Sequence, residues 1–419
     1  MLPIFDFVYT IGLYSFYNIY IIIVKCFVPQ KHNVFLIMEY NLIIKILCLS
    51  LINKKMMKFF NLLMFVMLFV SCSMDQNVVV NDVSLTGEAV SYKLQPHKIN
   101  TPELVFRTFF ITNELECYTI NYLDKTSYKS DTLFHIGKGR NEFQRVRLSF
   151  DQNNNLYILN QPYMGDRFIS ITVISNTDSI ESIKNKKEWD RYDLSQMPPC
   201  CIHGDGFVVL SDSTILTTGA PYDAINGHLM SIVNYKSQKV QPIEYWPDDG
   251  IETDSLPKMT IYSSNAKLFG NGEGHFLYQC GTQRFVFLFS IENNHVNVIK
   301  ELYCVYPRYK SDESKMDFVI EPNSPTGRLN CCADNKHIYV LLMDSDKNGK
   351  KLESWSPDNY GNIVEVYDWE GVIQEKIRLD KYGQRIMISQ EENKLYLFTD
   401  DYEYENSQPE IWAYDLRNL

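Results

Sequence analysis

The chain has 419 residues, 45% hydrophobic and 14% aromatic, and a formal net charge of −11 from 40 Lys and Arg against 51 Asp and Glu. That length is enough for one large core. The acidic balance repels polyphosphate backbones and anionic headgroups, so nucleic acid is not expected as a partner.

Residues 1–55 are apolar and aromatic but broken by Lys25, Lys31, Lys45, Lys54 and Lys55. They precede a second, complete signal with its own methionines and are read as upstream read-through or leader. A rival reading is a membrane helix over Phe5–Val24, which has the length to span a bilayer. Asp6, Thr10, Ser15 and Asn18 weaken it. Residues 56–71 then give Met56-Met57-Lys58, a short apolar run and Phe69-Val70-Ser71-Cys72. A lone positive charge, an apolar stretch and a small residue before the cut make a secretory signal. With cysteine at the cut it is of the lipoprotein type. Cys72 is therefore expected to carry a diacylglycerol, with palmitate among its acyl chains, and to anchor the protein in a bacterial outer membrane, periplasmic or surface-exposed. Cys72 is the one site residue the sequence nominates.

Removing residues 1–71 takes away six lysines and two acids, which leaves 34 basic and 49 acidic residues and a net charge of −15. Residues 72–85 read as a flexible tether, and 86–419 as the folded body. Beside Cys72 the processed chain keeps Cys117, Cys200, Cys201, Cys280, Cys304, Cys331 and Cys332. An odd number cannot all pair internally. Neighbouring cysteines are poor disulfides and point to opposite faces of a strand. No CxxC or HExxH spacing occurs, so the thiols are read as core fillers.

The body is a succession of short strands punctuated by Asn, Asp and Gly, without a long helical period. An early group spans Leu104–Ile136. The next comprises Val146–Phe150, Asn155–Leu159, Phe168–Val173 and Ile180–Ile183. A third runs through Gly206–Leu210, Thr214–Thr218, Leu229–Tyr235 and Val240–Trp246. The fourth holds Met259–Phe269, His275–Cys280, Arg284–Ile291 and Val296–Tyr303. The clearest group covers Arg328–Leu379, with strands at Arg328–Ala333, His337–Leu342, Ile363–Tyr367 and Val372–Leu379. The last has three strands, Arg385–Ser389, Lys394–Thr399 and Glu410–Asp415. Four strands in about fifty residues make one propeller blade. The expected fold is all-β, a six-bladed β-propeller of four-stranded antiparallel blades. Ala89–Leu94 supplies the missing strand, so the N- and C-terminal strands close the ring and no sheet edge stays open.

The stretch Val364-Glu365-Val366-Tyr367-Asp368-Trp369-Glu370-Gly371, then Ile377-Arg378-Leu379-Asp380, Asn393-Lys394-Leu395-Tyr396 and Ile411-Trp412-Ala413-Tyr414-Asp415-Leu416, resembles the TolB-like six-bladed propeller lipoproteins of Gram-negative envelopes. The turn Ile136-Gly137-Lys138-Gly139-Arg140-Asn141-Glu142-Phe143 is similar to the family's Gly-rich turn, without its later Gly-Pro. The resemblance implies a fold and an envelope address, and brings no catalytic residues with it.

Gly137-Lys138-Gly139-Arg140 lacks the Gly-Lys-Ser/Thr ending and βαβ setting of a P-loop, so a blade-to-blade turn with positive φ is the cheaper explanation. His97, His135, His203, His228, His275, His295 and His337 are scattered, and a ring of them at the channel would be needed to hold a metal. Asp248-Asp249 and Asp400–Glu405 are acid runs without EF-hand spacing, and the second reads as a solvated loop. No Gly-x-Ser-x-Gly elbow occurs. No catalytic, cofactor-binding or metal residue is nominated and no cofactor is expected. The expected function is a monomeric, non-catalytic binding or interaction module for a peptide, glycan or envelope protein. The alternative is a hydrolase or lyase with its site in the central channel.

Overall fold

The computed structural model describes residues 80–90, 101–106, 109–113, 117–124, 127–137, 142–161, 169–203, 206–314, 317–322, 324, 328–352, 359–399 and 410–417. The chain divides into two compact units, Met1–Val78 and Val79–Leu419, and every described residue belongs to the second. The signal peptide, Phe5–Val24 and Cys72 lie outside the described residues. Among these residues no helix is long and apolar enough to cross a membrane.

Two short strands, β1 (Asn81–Leu85) and β2 (Glu88–Ala89), open the unit. Six radial sheets follow. Blade 1 holds β3 (Thr101–Phe106), β4 (Phe109–Asn113), β5 (Cys117–Asp124) and β6 (Ser127–Ile136), with β7 (Glu142–Phe143) added parallel to β6. Blade 2 has β8 (Val146–Phe150), β9 (Leu156–Asn160), β10 (Ser170–Ile174) and β11 (Trp189–Asp193). Blade 3 has β12 (Phe207–Val209), β13 (Thr214–Thr218), β14 (Met230–Asn234) and β15 (Lys239–Ile243). Blade 4 has β16 (Lys267–Gly270), β17 (His275–Gln279), β18 (Phe285–Glu292) and β19 (His295–Cys304). A small hairpin, β20 (Tyr309–Ser311) and β21 (Phe318–Ile320), precedes blade 5. That blade holds β22 (Arg328–Ala333), β23 (Ile338–Met343), β24 (Gly361–Tyr367) and β25 (Ile373–Gly383). Blade 6 has β26 (Arg385–Ser389), β27 (Lys394–Thr399) and β28 (Glu410–Asp415).

Within each blade successive strands pair antiparallel, and the first strand is innermost. Those inner strands touch one another in the cyclic order β3, β8, β12, β16, β22, β26 and back to β3, which is the central ring of a six-bladed β-propeller. β2 adds to β28 as the fourth strand of blade 6, pairing Glu88 with Ala413 and Ala89 with Trp412. The Val90 N–H donates to Ile411 O at 2.8 Å, so the ring closes as expected, with strand pairing at 88–89. The expected Ala89–Leu94 strand is shifted toward its N-terminal side, and residues 91–94 lie outside the described set. The tether reading of 72–85 needs correction at its end. Asn81–Leu85 is a strand, paired in parallel with Glu375–Leu379 on the outer edge of blade 5. Its backbone covers an edge that would otherwise be open.

Radial position explains the residue pattern. Second strands such as Leu156–Asn160 and Lys394–Thr399 are apolar along most of their length because blades cover both of their faces. Outer strands alternate with polar residues, as Trp189–Asp193 and His295–Cys304 do. The hydrophobic layers between blades follow from this alternation. Cys331 packs into the layer toward blade 4, and Cys332 into the layer toward blade 6. Successive side chains of one strand thus serve two different layers.

A turn device recurs between first and second strands. Asp151 Oδ1 accepts the N–H groups of Asn153 and Asn155 at 2.9 Å each, and the Tyr157 hydroxyl donates to Asp151 Oδ2 at 3.3 Å. In blade 5, Asp334 accepts from Lys336 N and His337 N at 2.7 Å each, and from the Tyr339 hydroxyl at 3.2 Å. In blade 6 only the tyrosine bond recurs, the Tyr396 hydroxyl donating to the turn residue Glu392. In blades 2 and 5 the tyrosine ties the start of the second strand to the acid that shapes the turn.

Two expected strands are helices. Ile180–Ile183 lies in α1 (Ile180–Lys184), where Ser179 Oγ accepts from Ser182 N at 3.1 Å. This N-cap, with Glu181 in the first turn and Lys184 in the last, favours a helical turn over extension. The fourth strand of blade 2 is Trp189–Asp193 instead. Met259–Phe269 likewise begins in α2 (Ser255–Ser263), and only Lys267–Gly270 is strand. Pro257 is tolerated in the first turn. Met259, Ile261 and Tyr262 are fully buried beneath the helix, so tertiary burial overrides their strand-like pattern.

None of the seven described cysteines forms a disulfide with another described residue. Five are buried core fillers, whereas Cys200 is half-buried and Cys304 is exposed on the outer strand of blade 4. Burial pushes the Cys331 thiol up to about 12 and Cys201 up to about 11. Thiolate, not thiol, is the reactive species, and access adds to that selectivity. Titration of the native protein with an aromatic disulfide is expected to modify Cys304 first, with Cys331 and Cys332 reacting only after unfolding. Fast native labelling of Cys331 would contradict the packing.

Candidate functional site

Inner strands all run the same way around the ring, so one end of the propeller collects their starts. The connections between blades and the loops between second and third strands share that end, here called the upper rim. Its loops approach one another closely. Gly219 has φ +119°, and a Cβ there would sit 2.5 Å from Cys200 O. At Gly281 a Cβ would meet Ser264 O and Asn265 O at 2.5 Å each. Both glycines let a loop of one blade press on the preceding inter-blade connection.

The inner strands are cationic in an acidic protein. β16, β22 and β26 start with Lys267, Arg328 and Arg385, and β8 has Arg147 at its second position. No acid occurs in β8, β12, β16, β22 or β26. The inner strand of blade 1 carries Glu103, whose side chain lies outside the described residues.

Hydrogen bonds across blades fix the levels of these cations. Lys267 is in register with Gln279. The Gln279 amide donates to Leu329 O and accepts from Cys331 N, at 2.9 Å each. Asn330 Oδ1 accepts from Ile386 N at 3.0 Å. Lys267, Asn330 and Ile386 therefore share one level. Arg385 stands about 3 Å above it and Arg328 about 7 Å above it, at the strand rise of ~3.3 Å per residue. The Arg328 guanidinium reaches Gly281 O at 3.3 Å, in the loop that ends at Arg284.

Several buried polar atoms at this rim have no partner among the described residues: Gln161 Oε1, Thr218 Oγ1, Nε and Nη2 of Arg284, Asn359 Oδ1 and Gln384 Nε2. Each residue follows a second strand, ends one, or precedes a third or an inner strand, so topology puts all of them at the same end. Thr172 Oγ1, in the middle of β10, is outside that group. Buried polar groups nearly always find partners, and none of the described residues supplies one here. On the same rim Tyr222, between β13 and β14, is 65% exposed.

A second polar cluster lies under α2. Asp249 has no exposed side-chain surface and accepts from Lys258 Nζ at 2.9 Å, Tyr262 OH at 2.9 Å, Tyr309 OH at 3.0 Å and Ile251 N at 3.1 Å. Of the Asp248-Asp249 run, Asp249 is thus buried and fully bonded. Sequence offered no signal for this beyond two adjacent acids, because the donors come from 2 to 60 positions away.

The histidines are dispersed. His203 Nδ1 is 2.7 Å from Ser263 Oγ at the rim. His228 Nδ1 is 2.7 Å from Ala224 O, and His295 is 2.9 Å from Glu244 on the outer strand of blade 4. Among the described residues no three His, Cys, Asp or Glu side chains are grouped as a metal ion would need. Gly137 does stand in a blade-to-blade turn, its N–H donating to Phe143 O at 3.0 Å. Its φ is not positive; a Cβ would instead strike the Glu142 side chain. Positions 138–141, His97 and Asp400–Glu405 lie outside the described residues.

No family model and no curated protein matches this sequence. Solved structures give distant matches. The β-propeller domain of a Myceliophteria thermophila protein is 9% identical at a TM-score of 0.39, covering 78% of this chain and 99% of that one. A Bacteroides fragilis protein described as exported is 8% identical at 0.44, covering 81% and 100%. A gluconolactonase from Xanthomonas campestris is 12% identical at 0.38, covering 79% and 98%. At this distance none of them transfers an activity.

Proposed function

We propose that this chain is a lipid-anchored envelope protein of the TolB-like kind, whose propeller binds a peptide, glycan or protein partner at its upper rim without transforming it. One observation carries the binding reading: unpartnered buried polar groups from blades 2 to 5 and the blade 5–6 connection gather at a single end of the ring. A rim so built is completed by an outside molecule. The exposed Tyr222 adds an aromatic contact at the same end. The anchor reading rests on Cys72 and its signal, and the outer-membrane address follows from that reading; the protein is taken to act as a monomer.

Purified full-length protein in a mild non-ionic detergent, presented with glycan and peptide libraries, is expected to retain a ligand and release it with unchanged mass. Turnover abolished by replacing a channel residue would establish the hydrolase or lyase reading instead. Mass spectrometry of the N-terminal peptide is expected to find acylated diacylglyceryl-Cys72, and an unmodified thiol there would remove the anchor.

A further inference from the structure

The cations and orphaned donors of the rim are not spread evenly; they concentrate where blades 4, 5 and 6 meet. In β18, Phe285 and Phe287 pack toward blade 3, while Val286 and Leu288 pack toward blade 5. Arg284 continues that ladder, its carbonyl accepting from Val305 N at 3.0 Å. Strand alternation therefore puts it on the blade 5 side, with Val286. From blade 5, Arg328 reaches back to the same loop at Gly281 O. Arg385 begins the adjacent inner strand, preceded by Gln384, whose N–H is fixed to Phe398 O at 3.0 Å while its Nε2 has no acceptor. Arg284 has two buried guanidinium nitrogens, Nε and Nη2, likewise without an acceptor. A buried guanidinium edge is costly unless something accepts from it, and its planar fork suits the oxygens of a carboxylate or phosphate.

We propose that this junction binds the oxyanion of a small ligand, a carboxylate or a phosphate. Arg284 supplies the fork, Arg328 and Arg385 supply flanking positive charge, and Gln384 Nε2 is a neutral donor. The proposal rests on the binding-module reading and narrows it to an acidic small molecule. It also gives the lack of acids in the inner strands of blades 2 to 6 a purpose: a local cationic field in a protein of net charge −11 concentrates anions at one spot.

The test uses full-length protein in non-ionic detergent, titrated with inorganic phosphate and with oligogalacturonate against potassium chloride at equal ionic strength. Calorimetry is expected to show saturable binding of one of the two, and the tighter one identifies the oxyanion's source. Arg284→Met is expected to weaken it on the order of 10- to 100-fold, the worth of a charge-assisted hydrogen bond. Arg284→Lys is expected to recover part of that loss, and Arg378→Gln on the exposed outer strand of blade 5 to leave binding unchanged. Without ligand, Arg284→Met is expected to melt no lower than the parent, since no acceptor is lost. If that variant does not fold, Arg385→Gln is measured in its place, with weaker binding expected. Absence of saturable binding by both anions, or parental affinity in Arg284→Met, overturns the proposal. Retention of a neutral glycan alone would sink the oxyanion site and spare the binding module. Conversion of a bound anion would do the reverse.

Discussion

Asp249→Ala is expected to lower stability by about 3–5 kcal/mol, the cost of removing one partner from a buried ion pair. Its side chain is wholly inside, and Lys258 is only 10% exposed. Truncation leaves the ammonium facing the Trp246 ring at 5.4 Å, with the Tyr262 and Tyr309 hydroxyls stripped of their acceptor. A cation–π contact offsets only a fraction of that desolvation. The cluster ties α2 and the β20–β21 hairpin to the connection after blade 3, so local loosening of the rim should accompany the loss. Asp249→Asn keeps the shape and one acceptor oxygen and is expected to cost less. The double variant Asp249→Leu with Lys258→Met removes both charges and is expected to recover much of the deficit. Urea midpoints by circular dichroism measure all three, and a loss below about 1 kcal/mol in Asp249→Ala would show the pair to be dispensable.

Deleting residues 1–90 is expected to open the ring. Two connections vanish: the five-residue parallel ladder of β1 on β25, and the pairing of β2 and Val90 with β28. At about 1 kcal/mol per net hydrogen bond, the loss is on the order of 5 kcal/mol. The deletion also bares the backbone of Glu410–Asp415, a template for pairing with another chain. Size-exclusion chromatography should therefore show higher oligomers alongside a lower and broader melt. The single change Val90→Pro isolates the closure itself, because it removes only the donor to Ile411 O. It should reproduce a smaller part of the same loss, about 1–3 kcal/mol for an orphaned carbonyl and a strained strand end. A deletion variant that stays monomeric and melts with the parent would show that the ring closes through blade 6 and blade 1 alone.

What the sequence by itself determined was the blade plan. Short apolar runs separated by Asn, Asp and Gly had to be strands buried on both sides, and repetition at a near-constant period left a propeller as the way to bury them all. Tyrosine after the first turn of blades 2, 5 and 6 was legible as a pattern, for example Asn155-Leu156-Tyr157 and Asn393-Lys394-Leu395-Tyr396, though its bond to an acid of the turn was not. Helices α1 and α2 were misread because Ile180-Glu181-Ser182-Ile183 and Met259-Thr260-Ile261-Tyr262 carry β-branched or aromatic side chains whose local preference is weak. Capping by Ser179 and burial against blade 4 decided them.

The rim was beyond the reach of sequence for a different reason. Lys267, Arg328 and Arg385 are separated by some sixty residues each, and only the ring of inner strands brings them to neighbouring heights. Asp249 looked like any surface acid until Tyr309, sixty positions on, folded over it. Local propensity acts over a few residues and fixed the elements. Charge convergence and burial arise from contacts across blades, and those exist only once the ring has closed.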